Sequence, residues 1–318
     1  MKIKPVLNSA PNSLSRTTCP LCGSGDSRRL FRPKRSPGPV VRCQNCDFVY
    51  VGPILRTDHI VAEAQMLESV PDELRSTADL ALLEGRWEKA LIDGYMREYP
   101  QKMQNANELL ATIERFVPKG NILDFGAGPG LFLEAARERG WRPYGLEPLV
   151  GFAIFARGNF GLPVVNDLLR DGVFPEGRFD AITAIQVLEH VTDPLSELSK
   201  LRRLLRSGGV LAVEVPNVAS PWVRLLGAKH RHFVEDHLNF FGPRTLRHFL
   251  ELGGLTVVQE GFSTRQISVR SVFSQLLRQI GTRRGPFGAL EELISGTGLG
   301  RTTVALNLGD IVYAIASK

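Results

Sequence analysis

Beyond Lys119, short apolar runs alternate with stretches whose apolar residues recur every three or four positions. That alternation is the pattern of a parallel sheet covered by helices on both faces. Strands are expected at Asn121 to Phe125, Pro143 to Leu146, Pro163 to Asn166, Phe179 to Ile185, Val210 to Val215 and Leu255 to Glu260. Between the fourth and fifth, Asp193 caps a helix with Pro194 at its first position, and Leu195, Leu198, Leu201 and Leu205 line one face until Gly208 stops it. Pro243 opens another helix that Gly253 and Gly254 close. The last run, Ile311 to Ala316, has no helix after it and is expected to pair antiparallel at the sheet's end. Upstream, a helical pattern extends from Ile60 to Val117, with Leu109, Leu110, Ile113 and Phe116 on one apolar face before Pro118 ends the run.

The segment from Arg16 to Pro53 is different: dense in Cys, Pro, Gly and Arg, without helical period, and too poor in apolar residues to hold itself by a core. All four cysteines of the chain lie here. Cys19-Pro-Leu-Cys22 and Cys43-Gln-Asn-Cys46 are two knuckles separated by 20 residues, the spacing of a four-thiolate zinc ribbon. Four sulfurs leave no open position on the ion, so Cys19, Cys22, Cys43 and Cys46 are read as a structural Zn2+ site. The organisation expected is a zinc ribbon over 16–56, a helical lead-in or lid over 57–118 and a catalytic α/β domain over 119–318. A partly helical, basic insertion is expected at about 265–306.

Composition narrows the class. A chain of 318 residues, 43% hydrophobic and 23% charged, can bury a full core. It has no run of 18 uncharged apolar residues and no apolar stretch near its start long enough for a signal peptide, so a cytoplasmic protein without membrane insertion is expected. The formal charge of +6 falls to about +4 once four thiolates hold one zinc ion, which makes it a weak pointer to nucleic acid.

The chemistry begins at Asn121-Ile-Leu-Asp-Phe-Gly-Ala-Gly-Pro-Gly130, a buried strand that runs into a glycine loop and a helix beginning near Pro129. Gly126, Gly128 and Gly130 allow a sharp turn and close approach of backbone to a ligand, and the helix N-terminus offers free amides. A dinucleotide fingerprint spaces its glycines G-x-G-x-x-G; here the third comes one residue early and Leu131 stands where that pattern wants glycine. The segment with Asp124 instead resembles the first motif of class I S-adenosylmethionine-dependent methyltransferases. The resemblance runs from Asn121 to about Phe262. It implies a seven-stranded Rossmann-like, mostly parallel sheet with helices on both faces, and S-adenosylmethionine (SAM) as cofactor, held by Asp124, Gly126, Ala127, Gly128 and Gly130. Glu147, 23 positions beyond Asp124, stands where an acid grips the ribose hydroxyls. By the same similarity Asp167 meets the adenine amino group and Leu168 packs on the ring.

Phe179 to Val191, FDAITAIQVLEHV, resembles the fourth motif of the branch that methylates small molecules, ubiquinone-type O-methyltransferases among them. Ligands lie outside the carboxyl ends of such strands, so Gln186 and Val187 are expected to flank the cofactor and Glu189 and His190 to face the acceptor. Methyl transfer is an in-line displacement from a sulfonium, and His190, with an ordinary pKa of about 6.5, is the candidate base. Glu189 orients it or helps bind a divalent cation. His237, in His-Leu-Asn-Phe-Phe, is expected at the acceptor, and a second metal site from His230, His232 and His237 is conceivable. Tyr95 and Tyr99 are candidates to close over the cofactor.

The reading is therefore a SAM-dependent enzyme that methylates an O or C atom of a small-molecule acceptor: a sugar nucleotide, a glycan precursor or a secondary metabolite. The alternative is an RNA methyltransferase that docks its substrate through the basic ribbon stretch Arg28-Arg-Leu-Phe-Arg-Pro-Lys-Arg35. A third is a binding scaffold with a decayed methyltransferase domain, which the intact Asp124, Glu147 and glycines oppose. The oligomeric state leaves no mark in the sequence.

Overall fold

The computed structural model describes residues 17–34, 36–52, 72–268 and 302–318. In chain order the elements are β1 (Ser27–Phe31), β2 (Val40–Cys43), β3 (Val49–Val51), α1 (Asp72–Ser76), α2 (Glu88–Arg97), α3 (Tyr99–Ile113), β4 (Asn121–Phe125), α4 (Leu131–Glu138), β5 (Arg142–Leu146), α5 (Val150–Phe160), β6 (Val164–Val165) and β7 (Phe179–Ile185). There follow α6 (Pro194–Leu204), β8 (Leu205–Pro216), α7 (Pro221–Leu226), β9 (Asn239–Phe240), α8 (Pro243–Leu252), β10 (Thr256–Phe262), β11 (Arg265–Ser268), β12 (Thr303–Leu306) and β13 (Ile311–Ser317).

Seven strands form the central sheet in the order β10-β13-β8-β7-β4-β5-β6. The pairs β4–β5, β5–β6, β4–β7 and β7–β8 are parallel, and β13 runs antiparallel to both its neighbours. Successive residues of each inner strand face opposite layers, as a period of two requires. Leu123 and Phe125, Ile182 and Ala184, Leu211, Val213 and Val215 meet Leu198 and Leu201 of α6 and Leu246, Phe249 and Leu250 of α8. Their alternates Ile122, Ala181, Val210 and Ala212 meet Leu110 and Ile113 of α3 and Phe132, Ala135 and Ala136 of α4.

Three expectations change. The run from Ile311 pairs antiparallel as expected, but between β8 and β10 rather than at the sheet's edge. Its residues are buried on both faces, whereas β10 alternates between exposed and half-buried positions, so the half-solvated strand takes the edge. Helix α6 ends at Leu204, before Gly208, and β8 begins at the next residue. Gly208 (φ 70°) lies instead within the irregular stretch between the Phe179–Leu205 and Ala181–Val210 pairs. Phe116 is 37% exposed, and Val117 fills the core position because the helix has ended at Ile113 and the face has rotated.

Near the N-terminus, β1, β2 and β3 form an antiparallel sheet whose fourth strand is β9, contributed from far along the chain. Val49 pairs with Phe240 and Tyr50 with Asn239, and Val51 N donates to Leu238 O at 2.9 Å. Phe48 packs on Phe241, with ring centroids 5.0 Å apart, and Cys19, Leu21, Val41 and Cys43 join the same buried cluster as β7 and α8. The ribbon is thus built onto the sheet domain. The lead-in from 57 begins outside the described residues and is helical from Asp72; α2 buries Ile92 against Val150, Phe152 and Ile154 of α5. Of the stretch at 265–306 the described ends are β11 and β12, paired from Arg265–Leu306 to Ser268–Thr303; the rest lies outside the described residues.

Candidate active site and cysteine cluster

The loop between β4 and α4 needs glycine for two separate reasons. Gly126, Gly128 and Gly130 all have positive φ, 79°, 52° and 87°. A Cβ on Gly126 would lie 2.4 Å from Val187 Cγ2 and one on Gly130 would lie 2.8 Å from Leu162 Cδ1, but one on Gly128 would meet nothing within 4 Å. The outer two therefore fit the loop to its neighbours, and Gly128 faces open space, as backbone that cradles a ligand must.

Glu147, at the end of β5, is 5% exposed and crosses to this loop. Its Oε2 accepts from Gly128 N at 2.6 Å and its Oε1 from Leu149 N at 2.9 Å. Asp124, one strand over, is buried and accepts from Thr183 Oγ1 at 2.7 Å. Burial pushes its pKa up from 3.8 to about 8, Thr183 opposes the shift and the nearby Glu147 charge adds to it. Asn166, at the end of β6, donates to Glu147 O at 2.8 Å and Pro148 O at 2.9 Å, which ties two strand ends together. Beside it, Asp167 Oδ1 accepts from Leu168 N at 2.7 Å, and Leu168 is 37% exposed. Ala127 is buried beneath the loop, among Leu133, Ala153 and Val164.

After β7 the chain turns through Gln186, which has φ 56°, a left-handed conformation rare outside glycine. Its backbone N donates to Glu214 O at 2.8 Å. The turn sends Val187 against Gly126 and leads into Glu189 and His190, where His190 N donates to Val187 O at 2.9 Å. Glu189 is 1% exposed, and neither of its carboxylate oxygens has a hydrogen-bond partner. Burial raises its pKa from 4.5 to about 8. His190 Nδ1 lies 3.0 Å from Asp236 O and 3.4 Å from Asp236 Oδ2, and burial lowers its pKa although Asp236 opposes the shift. The His237 ring stands edge-on to it, centroids 4.7 Å apart; burial lowers the His237 pKa to about 4, and its Nδ1 is buried without a partner. One donor atom from each of Glu189, His190 and His237 lies within 4.8 Å of the others.

His230 and His232 take no part in that cluster. They pack on each other with centroids 4.5 Å apart, and His232 Nε2 lies 3.2 Å from Asp310 O. The conceivable trio with His237 is accordingly not assembled, because His237 turns toward Glu189 and His190. The two tyrosines also part. Tyr95 packs edge-on to Phe152, near enough to Glu147 to feel its charge, while Tyr99 stacks on Phe160 near Glu134 and Glu138. Sequence reasoning passed over Asn166, Thr183, Asp236 and Asn239, whose side chains or carbonyls hold the named residues. Asn239 Nδ2 donates to Leu188 O at 2.8 Å and Val191 O at 2.6 Å, clamping both sides of Glu189 and His190. Its only sequence signal is its place two residues after His237.

The four cysteine sulfurs lie within 4.8 Å of one another. Cys19 and Cys46, and likewise Cys22 and Cys43, are 3.5 Å apart, close to the roughly 3.8 Å edge of a zinc tetrahedron with about 2.3 Å bonds. The two knuckles match: Gly23 N donates to Cys19 O at 2.9 Å with φ 71°, and Asp47 N to Cys43 O at 3.1 Å with φ 60°. This donor set fits a closed tetrahedral ion. Between the knuckles Arg28, Arg29, Arg32 and Lys34 are exposed, while the Phe31 ring packs edge-on to Phe233 at 4.8 Å.

A family model described as a methyltransferase domain matches residues 95–260. The chain belongs to this family and is a class I SAM-dependent methyltransferase. Among curated relatives, the ubiquinone biosynthesis O-methyltransferase of Coxiella burnetii is 28% identical over 207 residues, which span 59% of this chain and 82% of that one. The trans-aconitate 2-methyltransferase of Methylobacterium radiotolerans is 37% identical over 147 residues, 45% of this chain and 54% of that one. A SAM-dependent methyltransferase structure from Archaeoglobus fulgidus aligns with a TM-score of 0.47 at 19% identity, covering 70% of this chain and 99% of that one. Among the described residues no helix is long and apolar enough to cross a membrane.

Proposed function

We propose that this enzyme transfers the methyl group of SAM to an oxygen or carbon atom of a small-molecule acceptor held between Gln186 and His237. The observation that carries the reading is the junction of two halves at one strand end. Val187 touches the glycine loop on one side, and Glu189 and His190, two and three residues later, converge with His237 on the other. Gly128 and Glu147 hold the amino-acid end and ribose of the cofactor, with Asp124 and Asn166 bracing the strand ends behind them. Asp167 and Leu168 take the adenine.

Displacement at a sulfonium needs the acceptor in line with the methyl–sulfur bond and, for a hydroxyl or carbon acid, removal of its proton. His190 fits the second task, since Asp236 engages Nδ1 and leaves Nε2 for the acceptor. The acceptor atom then bonds to carbon as the carbon–sulfur bond breaks, and the sulfonium becomes a neutral thioether. His190→Ala should cost about 10²- to 10⁴-fold in turnover while sparing SAM affinity. The ribbon cysteines hold a structural Zn2+ as thiolates, and the lack of any disulfide among them suits a reducing cytoplasm. Sugar nucleotides, glycan precursors and secondary metabolites remain the acceptor classes that suit the fourth-motif resemblance, which the two small-molecule relatives support.

The test is to incubate the zinc-loaded protein with methyl-tritiated SAM and a fractionated cell extract. Label in low-mass compounds bears the reading out. Label confined to RNA overturns it in favour of docking through Arg28, Arg29, Arg32 and Lys34, and absence of SAM binding by calorimetry overturns both.

A further inference from the structure

We infer that Glu189, His190 and His237 form a second metal site, distinct from the four cysteines, which holds a divalent transition-metal ion on two imidazoles and one carboxylate. Two independent features point to it. The first is convergence: a donor atom from each of the three residues lies within 4.8 Å of the others, although His237 lies 47 residues along the chain from the adjacent pair Glu189 and His190. The second is want of partners. Glu189 is 1% exposed with both oxygens unsatisfied, and His237 Nδ1 is likewise buried and unpaired. Buried polar atoms in folded proteins are nearly always partnered, and one metal ion would satisfy all three at once.

The surroundings fit a cation. Among the described residues no lysine or arginine forms an ion pair with Glu189, whereas the carboxylates of Glu214 and Asp236 both act on it. Asp236 also engages His190 Nδ1, the outer hydrogen bond that commonly fixes a ligating imidazole. Asn239 pins the backbone on either side of Glu189 and His190, so the donors are held rather than loose. Two imidazoles and a carboxylate favour a borderline ion such as Zn2+, Co2+, Mn2+ or Fe2+ over Mg2+, and three protein ligands leave coordination positions open for a substrate.

An acceptor that chelates through adjacent oxygens, such as a vicinal diol, a catechol or a hydroxycarboxylate, matches those open positions. Its bound hydroxyl would lose a proton to solvent more readily, and the resulting oxygen anion would attack the methyl as the carbon–sulfur bond breaks. His190 then acts as ligand in place of base. This use of the ion rests on the methyltransferase reading above; the binding of the ion does not.

The experiment is a Co2+ titration of the full chain with its ribbon zinc in place, followed by visible absorption. About one Co2+ per chain is expected, giving the weak d–d bands of a nitrogen–oxygen site, with affinity reduced at least about tenfold in Glu189→Gln and in His237→Gln. SAM binding and circular dichroism report whether each variant is folded, and loss of Co2+ binding counts only in a folded variant. The inference is overturned if the wild-type protein binds no Co2+, if both folded variants bind it as tightly as wild type, or if the bands are thiolate charge transfer, which marks displacement of the ribbon's zinc. Since no turnover is measured, an error in the acceptor reading leaves the outcome intact.

Discussion

Tyr50 of the ribbon pairs across an antiparallel ladder with Asn239, whose side-chain amide holds the carbonyls on either side of the Glu189–His190 pair. The Glu189 carbonyl in turn accepts from Leu238 N at 2.6 Å and Asn239 N at 3.1 Å. The ribbon is therefore one short step from Glu189 and His190, with β9 as the shared strand.

Loss of the ribbon metal should be felt there first. Cys22→Ser is expected to remove about one zinc per chain and to loosen the ribbon. Hydrogen exchange should then show lost protection at the Leu238 and Asn239 amides, while α4 stays protected and SAM affinity changes by less than about threefold. Uniform deprotection of the whole domain, or none at β9, contradicts this coupling.

Glu147→Ala should weaken SAM binding by about 1 to 3 kcal/mol, measured by calorimetry, because one carboxylate is asked both to meet the ribose and to hold the Gly128 amide. Glu147→Gln keeps the length but replaces an acceptor oxygen by a donor, and should fall between the two. Unchanged affinity in the alanine variant removes Glu147 from the cofactor site.

The Asp124 carboxyl predicts a pH dependence of stability. Its folded pKa, about 8, lies above its usual 3.8, so the folded chain keeps a proton that the unfolded chain gives up. The stability this contributes is present in full below 3.8 and is lost as pH rises through about 8. Asp124→Asn has no such loss, so its melting temperature relative to wild type should rise between pH 5 and pH 9, by roughly 2 to 4 °C for each kcal/mol recovered. Scanning fluorimetry at the two pH values decides the matter; a constant gap contradicts it.

Gly126→Ala should be the worst of the loop substitutions. It adds a Cβ against Val187 at a backbone φ of 79°, a combination costing about 1 to 3 kcal/mol, whereas Gly128→Ala carries only the backbone strain. Denaturant unfolding should show the larger loss at Gly126, and SAM binding should be the more sensitive readout at Gly128. Equal stability losses at the two positions would refute the separate roles given to them.

Much of this protein is written in local pattern. The strands from Asn121 to Phe125 and from Phe179 to Ile185 stand where their apolar runs stand, since a strand buried on both faces can be built only from a continuous apolar segment. The Asp193–Pro194 start of α6 and the two cysteine knuckles are equally local, because a cap or a C-x-x-C turn closes within a few residues. What tertiary structure alone decided are relationships between distant segments. It put β13 inside the sheet and β10 at the edge, a choice set by which strand could tolerate solvent on one side. It joined β3 to β9 and so hung the ribbon beside Glu189 and His190. It also grouped the His237 ring with Glu189 and His190 rather than in a ligand set with His230 and His232, its neighbours in the chain. Spacing along a sequence governs turns and faces; which faces meet is settled by burial, and burial is a property of the whole fold.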